Sequence, residues 1–325
     1  MLNLYNTFFS RTEGIPIENG FEDRTQSTIS FDDSTRTFTI TPVGICYYWS
    51  NEIRYAVTTP QTVVIPDIEG VHFIYYEGST LKTVVGFVEE LITVYSFVGV
   101  VYWNATQKVS IILGDERHGR VMDSTTHLYH HSTEGCKWGK GLSPSSITIG
   151  TGDAAVDAQI AIEAGTIYDE DIKHTIAGQA RPMSAPLIYR SGTNGDWKKI
   201  DSTGYIVTTT GSGRAAWNEF TGTTWQLTES STNDFVLSHL LATNDTRHPM
   251  VWLVGQKTYT TLALARVGAD IEFQQLKTGQ LDTLMPEFVF IATFILQSAS
   301  GYSNAVKSKV VTLESGEAFV DLRKR

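Results

Sequence analysis

Apolar and polar side chains alternate through residues 27–31 and again through 35–40, the period of a half-buried β-strand. Asp32-Asp33-Ser34 between them is a short polar turn whose side chains can bond their own backbone, so the segment predicts a hairpin. Strands are predicted to continue at 46–49, 53–57, 61–65, 72–76, 81–87, 92–103 and 108–113. Turn signals such as Pro42-Val43-Gly44, Ser50-Asn51-Glu52 and Glu77-Gly78-Ser79 separate them. Short strands with frequent turns indicate a sandwich or barrel.

The alternation stops at residues 114–142. There the pattern predicts a short helix over about 123–131, capped by Asp123 or Ser124 and stopped by Gly135. Strands at 146–149, 159–163 and 173–176 make up the rest of a small linking region. Arg181-Pro182-Met183-Ser184-Ala185-Pro186 closes it, because two prolines this close oppose both a helix and a central strand. Further strands are predicted at 187–190, 197–200, 204–209, 217–220, 224–227, 235–242 and 251–255. A second helix is predicted over 258–267, with Tyr259, Leu262, Leu264 and Ala265 on its apolar face. Strands at 287–296, 307–313 and 318–322 follow, the last two paired through Glu314-Ser315-Gly316. No fixed-period repeat is present, which argues against a β-helix.

The expected fold is mainly β: two antiparallel β-sandwich-like domains, 26–114 and 183–325, joined by a small mixed region, 115–182, with one or two short helices. Residues 1–25 read as an arm. Leu2, Leu4, Tyr5, Phe8 and Phe9 are apolar and are followed by the turn-rich RTEGIPIENG, which suits an assembly arm that docks on a neighbouring subunit.

Composition narrows the function. A chain of 325 residues is long enough for two domains, and with 41% hydrophobic and 18% charged residues it is globular and sparsely charged. A net charge of −10 opposes binding to a phosphate backbone, which needs basic patches, so no nucleic-acid partner is expected. Cys46 and Cys136 lack C-x-x-C spacing and are expected as thiols in a reducing cytoplasm. Residues 84–103 are apolar, but Glu89 and Glu90 lie among them and would be costly in a bilayer, so no membrane insertion is expected. The N-terminus carries no secretory pattern.

Candidate chemistry is sparse. His118, His127, His130 and His131 fall within one segment, and His127 and His131, four apart, share a helix face. Two such imidazoles can share a zinc ion. H-E-x-x-H is absent, however, and packing or hydrogen bonding at a domain junction is the reading adopted, with His118, His127 and His131 kept as candidate ligands. Glu89-Glu90, Asp115-Glu116 and Asp169-Glu170-Asp171 are adjacent carboxylates, which point to opposite faces of a strand. A glycosidase needs two carboxyls facing one another roughly 5 to 9.5 Å apart, so solvated turns are expected at all three. No nucleophile elbow, Walker lysine or Rossmann setting occurs. Neither enzyme activity nor a cofactor is expected. Trp197, Trp217 and Trp225 lie beside turns, where an aromatic face can stack on a sugar. Core packing is the favoured reading for them, with glycan contact as the alternative.

The run Ser27-Thr28-Ile29-Ser30-Phe31-Asp32-Asp33-Ser34-Thr35-Arg36-Thr37-Phe38-Thr39-Ile40, the later Val63-Val64-Ile65-Pro66-Asp67-Ile68-Glu69-Gly70 and the run Glu116-Arg117-His118-Gly119-Arg120-Val121-Met122-Asp123 resemble segments of tailed-bacteriophage virion proteins. So does Trp225-Gln226-Leu227-Thr228-Glu229. The resemblance covers nearly the whole chain and departs from the pattern at Cys136-Lys137-Trp138 and Gln274-Gln275. It implies a non-enzymatic tail, baseplate or neck component that assembles with itself as a trimer or higher ring and with other tail proteins. Such a protein is made in the host bacterial cytoplasm and resides in the virion. The alternatives are a carbohydrate-binding adhesin that contacts a host surface glycan and, less favoured, a polysaccharide depolymerase.

Overall fold

The computed structural model describes residues 18–324, and Leu2, Leu4, Tyr5, Phe8 and Phe9 of the expected arm lie outside them. The fold is mainly β, built from several antiparallel sheets and a few short helices. Leu187–Ser191 pairs parallel with Met250–Tyr259, Leu187 with Trp252 and Ile188 with Leu253, and Phe21 bridges Gly119 in parallel. The chain forms two compact units. Among the described residues, the first comprises 18–135 and Asp169–Ile172, the second Cys136–Tyr168 and 173–324. The expected linking region, 115–182, is therefore not a separate body. Its first part continues directly from the strand Val109–Asp115 of the first unit, whereas Lys137–Gly141 pairs with Gly165–Asp169 in the second.

In the first unit the expected hairpin forms between Ser27–Asp32 and Thr37–Pro42, with Phe31 opposite Phe38 and Ile29 opposite Ile40. Asp32 Oδ1 accepts the Ser34 N–H at 2.9 Å, closing the turn. Alternation sends Phe38 and Ile40 inward, where both are fully buried beside Phe21, Tyr48, Tyr76, Val101 and Trp103. The central strands Gly70–Glu77 and Ser96–Asn104 pair antiparallel and are almost entirely buried. The predicted strand 92–103 is shorter than expected. Glu90–Thr93 forms a single helical turn, α1, which buries Leu91 and Ile92 before the strand begins at Ser96.

In the second unit the strand Phe235–Thr243 lies between Met250–Tyr259 and Phe288–Ser298 in a seven-stranded sheet. The hairpin of Leu187–Ser191 and Asp196–Ile200 extends the sheet at one edge. A ten-residue helix, Leu262–Ile271, is capped by Thr261 and sets Ala265 and Ala269 into a core with Phe235, Leu237 and Ile295. The predicted start at 258 is overridden because Thr258 and Tyr259 pair with Val236 and Phe235, and ladder bonds claim those residues first. The predicted final hairpin does not form either. Ser308–Val310 and Val320–Asp321 each pair with Phe288–Ser298, at different points along it. No helix among the described residues is long and apolar enough to cross a membrane.

Candidate functional site

Three segments of the first unit converge on one buried cluster of histidines and carboxylates. The first continues from the strand Val109–Asp115 through Glu116 to Gly119. Its backbone is fastened by the Phe21 N–H donating to His118 O at 2.7 Å and the Arg120 N–H donating to Phe21 O at 3.1 Å. Arg117 anchors it further. Its Nε and Nη2 donate to the two oxygens of Asp115, each at 2.7 Å, and its Nη1 donates to the carbonyls of Arg24 and Ser27 at 2.9 and 2.5 Å. The Arg117 N–H donates to Asp115 Oδ1 at 3.3 Å, and Arg24 adds a fourth bond to Asp115 at 3.0 Å. Burial raises the Asp115 carboxyl, but the Arg117 bonds and the charges of Arg117 and Arg24 outweigh it and hold the group below the usual carboxylate range.

The second segment is a helix, α2, Ser124–Thr133, close to the 123–131 expected from the sequence. Asp123 caps it by accepting the N–H groups of Thr125 and Thr126 at 3.1 and 3.0 Å. Gly135 follows its end at φ +54°, a conformation that favours glycine, and donates to His130 O at 2.9 Å. The helix carries His127 and His131 inward, and both are buried. The His127 ring lies against that of His118, with centroids 4.3 Å apart, and His131 stacks on Phe87 at 5.3 Å.

The third segment is Asp169-Glu170-Asp171, at the tip of a hairpin between Gly165–Asp169 and Ile172–Ile176. Glu170 adopts φ +42°, uncommon for a residue with a side chain. Its side chain is fully buried, with Oε2 3.5 Å from His118 Nε2 and Oε1 3.6 Å from His131 Nδ1. Asp171 Oδ1 lies 2.7 Å from His118 Nδ1, and Asp171 Oδ2 accepts the Gly119 N–H at 2.8 Å. A Cβ at Gly119 would stand 2.7 Å from that Oδ2, so glycine is what lets the carboxylate approach.

This arrangement corrects the expectation that Asp115-Glu116 and Asp169-Glu170-Asp171 are solvated turns: Asp115, Glu116 and Asp169 are buried, as is the Glu170 side chain. His118, His127 and His131 are indeed brought together, and the structure adds Glu116, Asp169 and Glu170 to them. His118 Nε2 lies 3.3 Å from Glu116 Oε2. Ligand atoms of His118, His127 and Glu170 all fall within 4.8 Å of one another, as do those of Glu116, His118 and Asp169. Burial pulls the His118 imidazole down, but its contacts with Asp171 and Glu116 and the charges of Asp169 and Glu170 carry it well above the ordinary range. His127 goes the other way. Burial first, then the charges of His118 and His131, hold it well below the ordinary range. Burial raises the Glu116 carboxyl, with Asp169 reinforcing the shift and His118 opposing it.

Trp197 and Trp225 are buried, as core packing requires and glycan contact does not. Trp197 is fully buried and donates Nε1–H to Thr278 O at 2.7 Å. Trp225 is buried beneath the Arg190 guanidinium, 4.4 Å from its ring centre, and Trp217 packs half-buried against the core. Neither Trp197 nor Trp225 presents an open face for a sugar, since both side chains are buried. Sequence reasoning also missed a polar network there. His239 is fully buried with Nδ1 2.8 Å from Thr293 Oγ1, and Tyr259 donates its hydroxyl to Glu272 at 2.5 Å. No protein-family model, curated protein or solved structure matches the chain.

Proposed function

We propose that the chain is a non-enzymatic structural component of a tailed-bacteriophage virion, an oligomeric adaptor or fibre-base protein of the tail, baseplate or neck. The observation that carries this reading is where the phage-like segments lie. Phe38 and Ile40 of the first segment are core residues, Arg117 of the second ties buried backbone together, and Asp123 caps α2. Glu229, the end of the W-Q-L-T-E run, fastens the loop 210–213 by accepting four backbone N–H groups. These residues hold a scaffold together, as a load-transmitting module requires.

Assembly with further copies is supported by exposed apolar side chains on strands that end their sheets. Ile53 on Ile53–Val57, Val64 on Gln61–Val64 and Val85 on Thr80–Val85 are each about half exposed. Unpaired edges carrying apolar groups are normally covered, and a closed trimer or higher ring covers them without leaving a free end. On this reading the protein is made in the host bacterial cytoplasm and resides in the virion beside other tail, neck or baseplate proteins. Peptide mass spectrometry of purified particles, with light scattering of the isolated protein, tests it. Presence in the particle at a fixed copy number and a closed oligomer in solution are expected. Absence from particles, or polysaccharide turnover abolished by one carboxylate substitution, would overturn it.

A further inference from the structure

We propose that His118, His127 and Glu170 bind one divalent first-row transition-metal ion, with Glu116 and Asp169 at its margin, as a structural ion that joins α2 to the Asp169–Ile172 tip. The inference starts from atoms whose bonding is incomplete. His127 is more than nine-tenths buried and its Nε2 has no hydrogen-bond partner, and the buried carboxylate oxygens of Glu170 accept no hydrogen bond, their contacts with His118 Nε2 and His131 Nδ1 being long at 3.5 and 3.6 Å. Burying an ionised carboxylate without hydrogen bonds is expensive, and in proteins such groups pair with charge or coordinate metals. A metal ion among these atoms gives His127 Nε2 a bond and takes the place of the long His118 and His131 contacts to Glu170.

His118 is oriented as a metal ligand is. Its Nδ1 faces Asp171, which is itself fixed by the Gly119 N–H. That contact assigns the Nδ1–H to Asp171 and turns Nε2 toward Glu116 and Glu170. A carboxylate behind the imidazole, fixing its tautomer and raising its basicity, is the usual outer partner of a ligating histidine. The three ligand atoms lie within 4.8 Å of one another. Three ligands each about 2.1 Å from one ion lie roughly 3.4–3.6 Å apart, so atoms at the 4.8 Å limit close on an ion when each moves inward by about 0.7 Å. Two imidazoles with carboxylates and no thiolate suit zinc, manganese or iron(II) better than calcium or magnesium, which prefer oxygen ligands throughout. His118 and the Glu170 side chain are almost wholly buried, which suits an ion that staples structure.

The test uses the full-length chain, loaded with Zn2+ or Mn2+, passed over a desalting column and analysed for metal by mass spectrometry. One ion per chain is expected, falling at least tenfold in His118→Ala, His127→Ala and Glu170→Gln but unchanged in His130→Ala, which alters the same helix outside the cluster. A chelator should lower the melting temperature of the wild-type protein by several degrees, Zn2+ should restore it, and Glu170→Gln should respond to neither. Should the variants fail to fold, Co2+ titration of the wild-type protein gives an independent readout, with visible absorption that saturates at one equivalent. A wild-type protein that retains no ion and shows no cobalt saturation overturns the proposal. So does an ion that persists in folded His127→Ala and Glu170→Gln.

Discussion

Arg117 grips Asp115, two residues before it, through two parallel N–H···O bonds of 2.7 Å, with both side chains almost entirely out of water. A fork-to-fork pair of this kind is geometrically exacting, and its remaining donor reaches the carbonyls of Arg24 and Ser27. Removing Arg117 leaves the buried Asp115 with the partly exposed Arg24 in place of the fork. Arg117→Ala is expected to destabilise the protein by about 3–5 kcal/mol, and Arg117→Lys to recover only part of this because an ammonium cannot make the bidentate bond. Urea denaturation of the two variants checks the order. Equal stability of Arg117→Ala and wild type would remove this joint from the account.

Phe38 is fully buried where three sheets of the first unit meet, whereas its cross-strand partner Phe31 is only partly buried. Phe38→Ala should cost about 3–5 kcal/mol, from lost transfer energy and the cavity left behind. Phe31→Ala should cost clearly less. Thermal melts of the pair report directly on the strand register, since a slip of one residue would exchange the two values.

Glu229 gives the second unit a defined response to acid. Burial raises its carboxyl, but the bonds from Ser212 and from the N–H groups of Gly211, Thr210 and Gly213 prevail and take it from the ordinary 4.5 to about 2. A carboxyl depressed on folding contributes stability that is fully present above the unfolded value and is lost as pH falls through the folded one. The advantage of the wild-type protein over Glu229→Gln should therefore be constant above about pH 4.5 and shrink toward pH 2. Melting temperatures of both proteins across that window measure it, and a difference independent of pH would mean the bonds act through geometry alone.

Asp123 satisfies two N–H groups at the start of α2. Asp123→Ala should destabilise by about 0.5–2 kcal/mol and speed hydrogen exchange in the first turn of α2, which precedes His127. Exchange mass spectrometry resolves this from a global effect, because the segment Gly70–Glu77 should remain protected.

Much of the architecture is legible wherever it is decided locally. The hairpin through Asp32 and the helix after Asp123 are each specified by side chains that bond their own backbone, so a short stretch of sequence contains the whole cause. The ends of the helix starting at Leu262 were not legible, since ladder bonds from Phe235 and Val236 claim Thr258 and Tyr259. The histidines of the candidate site were visible as a cluster, but its carboxylates were not. Asp169-Glu170-Asp171 has the composition of a solvated turn, and nothing within it reveals that His118, some fifty positions earlier, lies 2.7 Å from Asp171. Trp197 and Trp225 are buried despite the flanking turns, in keeping with the core-packing reading.

The interleaved course of the chain has a consequence for how the protein is made. Asp169–Ile172 belongs to the first unit, yet it leaves the ribosome only after Cys136–Tyr168, which belongs to the second. The nascent first unit therefore waits, with His118 lacking its contact to Asp171 and Gly119 lacking its acceptor, until the hairpin tip has emerged. Synthesis of the two units is consequently not sequential, and a gene cut at Gly135 does not encode a finished first unit. The boundary at which this chain can be divided is not a point along it.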